Sequence, residues 1–231
     1  MIELLNEDCM DVMARYPDNY FDLAIVDPPY GIGVDGQKET INKKRNPKQN
    51  RKGHVAKGWD TSIPSGDYFF DLFRVSKNQI IWGANYFVKH LTEGTKGWVF
   101  WYKGQEGLTM SDGEIAYSSF QKPTRIININ RVELLKDRTI HPTQKPVKLY
   151  EWLIINYAKK GQRILDTHLG SGSSAIAAYR FGIDFVGCEI DKDYFKAALE
   201  RFNNETKQVD LFGDNDIYQK VHDDYQEARD E

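Results

Sequence analysis

Short apolar runs rich in Ile, Val, Phe and Trp recur along the chain, and longer stretches between them repeat their apolar residues at helical spacing. The short runs predict strands: "IELLN" at the start, then "DLAIVD", "QIIWGA", "GWVFWYK", "RIININRV", "QRILDTH" and "DFVGCEI". The helical patterns are "SGDYFFDLFRVSK", "SDGEIAYSSF", "PVKLYEWLIINYAKK", "GSSAIAAYRFG" and "DKDYFKAALERFNNE". Strands that alternate with helices in this way predict an α/β fold with a mostly parallel twisted sheet and helices on both faces. Ligands bind beyond the carboxyl ends of the strands in such sheets. The residues just after each run therefore matter most.

Two stretches break the pattern. Residues 33–58, "GVDGQKETINKKRNPKQNRKGHVAKG", hold almost no large apolar side chains and predict a long mobile loop. Residues 203–231 become acidic after the last strong helical pattern and predict a peripheral tail behind a single domain over 1–202.

Composition narrows the class. A chain of 231 residues, 40% hydrophobic and 28% charged, suits one globular domain. Cys9 and Cys188 stand in unrelated contexts, which fits a reducing cytoplasm, with no disulfide framework and no metal spacing. No apolar run reaches membrane-spanning length, and the opening residues lack a signal-peptide layout. The net charge of -3 hides an asymmetry. Between Lys38 and Lys57 lie Lys43, Lys44, Arg45, Lys48, Arg51 and Lys52, and Glu39 is the only acid there. Such a cluster neutralises phosphates, although a solvated loop has the same composition.

After "QRILD" comes "THLGSGSSAIAA". Gly170 and Gly172 let the backbone turn tightly and approach a ligand where a helix begins. Glu189 ends the next strand, where a carboxylate can accept from both hydroxyls of a ribose. Gly170-x-Gly172-x-x-Ala175 formally satisfies a dinucleotide fingerprint, so an NAD-dependent oxidoreductase is a rival reading. Asp166, just before the turn, would crowd a pyrophosphate, whereas it suits a cationic ligand such as S-adenosylmethionine. The charge argument favours the methyl donor.

"DPPY", Asp27-Pro28-Pro29-Tyr30, ends the run "DLAIV". The prolines stop the strand and stiffen the turn beyond it. The exocyclic amine of an aromatic base is a poor nucleophile, because its lone pair is conjugated into the ring. Asp27 and the Pro28 carbonyl can each accept one amine N–H and aim the lone pair at a sulfonium methyl, with Pro29 holding both rigid. Tyr30 can stack on a base flipped out of its helix. A rigid turn with an incidental Tyr would read the same in isolation.

DPPY, then "HPTQKP" at 141–146, then "LDTHLGSGS" at 165–173 resemble, in that order, the S-adenosylmethionine-dependent amino-methyltransferases of DNA. The catalytic motif precedes the glycine motif, as in the permuted beta-type arrangement, and the resemblance covers about residues 1–32 and 60–202. It implies a Rossmann-like methyltransferase fold and methylation of adenine N6. Cytosine-N4 enzymes more often carry Ser in place of Asp27, and protein-glutamine and guanine-N2 relatives usually carry Asn and are not permuted. It also implies that Asp8 and Cys9 meet the adenine of the cofactor, that Lys145 meets its carboxylate and that Glu189 holds its ribose. The family's usual Pro-Phe before the glycines is replaced by Thr167-His168. His168 then packs as a flat ring or contacts the methionine end of the cofactor.

The segment 103–141 leaves no room for a separate target-reading domain, so recognition falls to the basic loop, with "YKGQEGLTMSDG" as a further candidate, and implies a short or relaxed target. Compact solitary enzymes of this type resemble those carried by phages and prophages, and others belong to restriction-modification pairs. "QVDLF", Gln208–Phe212, resembles the pentapeptide by which bacterial proteins dock on the sliding clamp. A homodimer would help a compact protein grip a duplex. RNA adenine methylation and a non-catalytic DNA-binding module remain alternatives to the DNA enzyme.

Overall fold

The computed structural model describes residues 1–36, 56–91, 94–107, 111–130 and 139–212. The six basic positions Lys43, Lys44, Arg45, Lys48, Arg51 and Lys52 lie outside the described residues.

Among the described residues, eight strands form one sheet. They are β1 (Ile2–Leu5), β2 (Leu23–Val26), β3 (Gln79–Trp82), β4 (Gly97–Tyr102), β5 (Gly113–Ser118), β6 (Arg125–Asn128), β7 (Arg163–Asp166) and β8 (Asp184–Cys188). Their order is β1-β8-β7-β2-β3-β5-β4-β6. Of these strands only β5 runs antiparallel to its neighbours. Five α-helices of the described residues accompany the sheet: α1 (Cys9–Ala14), α2 (Gly66–Val75), α3 (Val147–Tyr157), α4 (Ser173–Arg180) and α5 (Lys192–Phe212).

The central strands β2 and β3 are buried at every residue, as a parallel sheet covered on both faces demands. Strand alternation divides the core in two. Leu23, Ile25, Ile80 and Trp82 pack with α3 and α4, while Ala24, Val26 and Ile81 pack with Val12 and Met13 of α1 and with Tyr68, Phe69 and Leu72 of α2. Ser65 caps α2 by accepting from the Tyr68 N–H at 3.4 Å, a cap of a kind worth about 1 kcal/mol.

The permuted chain order has a spatial consequence. β7 arrives late and inserts between β2 and β8, with Ala24 beside Leu165 and Asp166 beside Gly187. β1 flanks β8, with Leu5 beside Cys188. The carboxyl ends of four parallel neighbours therefore align, and Asp8, Asp27, Asp166 and Glu189 emerge along one edge.

The elements depart from expectation in one place and add one helix. "SDGEIAYSSF" forms β5 rather than a helix. Its Ala116 and Tyr117 are buried against β3 and β4, and paired sheet neighbours on both sides outweigh the local helical spacing. α1 has no counterpart among the expected helices. The helix expected around 191–205 is α5, which runs across position 202, buries Thr206 and continues through Gln208–Phe212.

Candidate active site

Asp27 leaves the end of β2 with its carboxylate held on two sides. The Tyr30 hydroxyl donates to Oδ1 at 2.6 Å, and the Lys145 ammonium donates to Oδ2. Lys145 also lies 3.0 Å from Glu114 Oε2 and 3.2 Å from the Tyr30 hydroxyl. Glu114, on β5, takes a second cation from Lys103, just past β4. Two ammoniums and two carboxylates thus alternate in sign. The Lys145 side chain is only 3% exposed. A buried ammonium is tolerated only when paired and hydrogen-bonded, and its two carboxylates raise its pKa although burial opposes the charge. Burial likewise works against the Glu114 anion, but Lys145 and Lys103 prevail and hold it down at about 2. At Asp27 burial prevails instead, aided by Glu114 and opposed by Lys145, and the carboxyl sits above its ordinary range.

The Tyr30 ring stacks on Tyr86, with centroids 5.0 Å apart and an interplanar angle of 16°, and meets Phe87 edge-on. It lies against the backbone of Gly83, where an added Cβ would stand 2.1 Å from Cε1. The ring expected to receive a base is thus covered on one side by Tyr86. Asp27 and Pro29 line the neighbouring cavity, while Pro28 is buried.

That cavity has a volume of about 280 Å³, and a second one of about 170 Å³ adjoins it. His168, Glu189 and Ile190 line both. The larger runs from Asp27 and Lys145 past Gly170, Ser171 and Ser173 to Trp59, His141 and Tyr194. The smaller adds Asp8, Cys9 and Thr167. Glu189 stands at the waist. Its Oε2 accepts from the Gly170 N–H at 3.0 Å and its Oε1 from the Asp191 N–H at 2.9 Å. Burial raises its pKa. Asp8 caps α1 through the Met10 N–H at 2.8 Å, and burial, then Asp8, pushes the Cys9 thiol up to about 12. His168 is driven down to about 4 by burial and is a neutral ring at ordinary pH, its Nδ1 2.9 Å from the Thr167 hydroxyl.

The described residues on either side of 37–55 are fastened. Asp60, 2% exposed, accepts from the Gly31 N–H at 2.7 Å and the Val34 N–H at 2.8 Å, directly after DPPY. Asp35 accepts from the backbone N–H groups of Lys57, Gly58 and Trp59 on the returning side. Lys57 then reaches the start of α5, 2.6 Å from Asp191 and 2.8 Å from Asp193, with its ammonium 4.6 Å from the Tyr194 ring centre. Trp59 packs on His141 at 5.2 Å, and His141 packs on Tyr194 at 4.4 Å.

A DNA methylase family model matches residues 43–200. The chain belongs to the DNA methylase family. Among its relatives is the protein named as a methylase, YubD, of Escherichia coli (strain K12). It is 30% identical over 213 residues, which span 87% of this chain and 90% of that one. A shorter stretch of 67 residues is 42% identical to the Type II methyltransferase M2.DpnII of Streptococcus pneumoniae, covering 29% of this chain and 25% of that protein. Among solved structures, the M1.HpyAVI-SAM complex superposes with a TM-score of 0.59 at 18% identity, over 88% of this chain and 100% of the other. The cytosine-N4-specific PvuII DNA methyltransferase also gives 0.59, at 15% identity, over 96% and 93%. At these identities the likeness shows the fold, which is the α/β, Rossmann-like methyltransferase fold expected from the sequence.

In this DNA methylase the structure brings eight of the twelve expected site residues that it describes to the two cavities. Asp27, Pro29, Lys145, His168, Gly170 and Glu189 line the larger cavity, and Asp8 and Cys9 line the smaller. Three differ from expectation. Asp166, the expected partner of a cationic ligand, lines neither cavity and spends its oxygens on its own loop. The His168 N–H donates to Oδ1 at 3.0 Å and the Ser174 hydroxyl to Oδ2 at 2.6 Å. Lys145, expected at the cofactor carboxylate, is already shared between Asp27 and Glu114. Gly172 does not face the cavity either. Its φ of 75° caps the start of α4. Lys103, Glu114, Trp59, His141, Tyr150 and Tyr194 were not among the expected site residues. A lone Trp just after a polar loop, and a His opening "HPTQKP", were the available signals for two of them.

Proposed function

We propose that this DNA methylase transfers a methyl group from S-adenosylmethionine to the exocyclic N6 amine of an adenine flipped out of DNA. The observation that carries this reading is that the Asp27 carboxylate and the Glu189 carboxylate line one continuous cavity. The cavity's chemistry fits the cofactor. Glu189 offers acceptors where a ribose would lie, the small Ser171, Ser173 and Gly170 leave room, and aromatic walls suit the remainder. The second cavity, with Asp8 and Cys9, extends from the same carboxylate and suits the adenine.

When bound, S-adenosylmethionine supplies a methyl on a sulfonium, whose carbon–sulfur bond breaks with the electron pair remaining on sulfur as the carbon–nitrogen bond forms. Asp27 accepts one amine N–H and the Pro28 carbonyl the other, which turns the nitrogen lone pair out of conjugation. After transfer the amine is acidic, and Asp27 is placed to take its proton. Asp27 itself supports adenine over cytosine, although the PvuII likeness keeps cytosine N4 as the second reading. Residues 38–57 supply the phosphate contacts.

The test is incubation with tritiated S-adenosylmethionine and unmethylated duplex DNA, followed by nucleoside analysis. N6-methyladenine is expected, and Asp27→Ala lowers its formation by at least about 100-fold while cofactor affinity stays within about threefold. Label in N4-methylcytosine favours the second reading. Label only in an RNA substrate moves the target to RNA. Failure to bind the cofactor overturns the whole reading.

A further inference from the structure

We infer that Glu114 is a positioning residue for methyl transfer: as a second acceptor for the Lys145 ammonium and the Tyr30 hydroxyl, it lets those donors leave Asp27 when the target amine arrives. The inference rests on the proposed transfer to an exocyclic amine.

The geometry carries it. Lys145 Nζ touches both carboxylates at once, donating to Asp27 Oδ2 and lying 3.0 Å from Glu114 Oε2. The Tyr30 hydroxyl donates to Asp27 Oδ1 at 2.6 Å and stands 3.4 Å from Glu114. Both groups that occupy Asp27 therefore have Glu114 as a second acceptor. An amine N–H that approaches Asp27 can displace either group without leaving a buried donor unpaired, which is the usual penalty for breaking such a network. Without Glu114, moving Lys145 off Asp27 would strand a buried ammonium, and the ion pair would compete with the substrate. Lys103 limits the arrangement from the far side. It pairs with Glu114 and neutralises its second oxygen, so Glu114 pulls on Lys145 without taking it outright.

The other titratable groups around Asp27 are Tyr150 on α3 and Asp166 at the end of β7. Neither touches Lys145 within hydrogen-bond reach. The charge of Glu114 raises the Asp27 pKa. Removing it lowers that pKa, and removing Lys103 raises it. A group that only supported the fold would not produce opposite shifts.

The experiment compares wild type, Glu114→Gln, Glu114→Asp and Lys103→Gln. The first readout is the carboxyl-carbon NMR titration of Asp27 in the protein alone. The second is the pH profile of methyl transfer to duplex DNA. Glu114→Gln is expected to move the Asp27 titration and the acid limb of kcat down by about half a pH unit or more. It lowers the kcat plateau about tenfold with cofactor KM within about twofold. Glu114→Asp restores most of the plateau, and Lys103→Gln moves the limb upward. Unmoved titrations, or equal losses in both variants that track a fall in Tm, overturn the inference while leaving the methylase reading intact. If wild type forms neither N6-methyladenine nor N4-methylcytosine, both fall together.

Discussion

Neighbouring strands end in Asp27, Asp166 and Glu189, and their carboxylates have different partners. Asp27 has an ammonium and a phenol, Asp166 a serine hydroxyl and a backbone amide, and Glu189 two backbone amides. With no cation on Asp166, burial lifts its pKa to about 7. A carboxyl whose folded pKa exceeds its ordinary value binds a proton that the unfolded chain releases, so stability falls as pH rises between the two values. The contribution is intact below about pH 4 and is lost as pH climbs through about 7. Asp166→Asn is therefore expected to remove about 1.4 kcal/mol per pH unit of downward slope near pH 6, measured by urea melts at closely spaced pH values. An unchanged slope would show that Asp166 stays ionised in the fold. Asp27 was legible in the sequence as a candidate because DPPY is contiguous. Its partner Glu114 was not, because only pairing across the sheet brings residue 114 to residue 30.

Strand β3 ends just before Gly83, with φ of 71°, and two 3-10 turns over Ala84–Tyr86 and Val88–His90 come next. This turn sets Tyr86 on the Tyr30 ring, and Tyr30 fills the space a Gly83 side chain would need. Gly83→Ala is expected to destabilise the fold by about 1–3 kcal/mol, from left-handed backbone and overpacking together. It also lowers kcat more than cofactor affinity, because Tyr30 touches Asp27 and the cofactor cavity lies beyond it. Denaturant melts and a cofactor titration separate the two effects. Seven of the eight described strands could be read from apolar runs, and β2 and β3 most plainly, because they are buried at every residue. β5 could not: Ser111-Asp112-Gly113-Glu114 looks like a helix start, and its strand character comes from β3 and β4 on either side. α1 was too short to show a period.

At the scale of the whole molecule, the proposed function gives the acidic net charge and the basic stretch 38–57 substrates of opposite kind, a cationic cofactor and an anionic duplex. Changing Lys43, Lys44, Arg45 and Lys48 together to Gln is expected to weaken duplex binding and to flatten the plot of log affinity against log salt by up to about one unit per residue. Cofactor affinity should stay the same. Fluorescence anisotropy across a salt series measures both, and an unchanged slope would place the phosphate contacts elsewhere. The feet of this loop add a further consequence. Asp60 and Asp35 hold its two ends by backbone amides alone, and Lys57 and Trp59 fix the returning strand to α5 and the cavity wall. Backbone hydrogen bonds are indifferent to the side chain of the donor, so these anchors place no demand on the identity of residues 37–55. If the proposed phosphate contacts are made by residues 37–55, replacing that stretch would change which duplex is gripped without designing the chemistry anew.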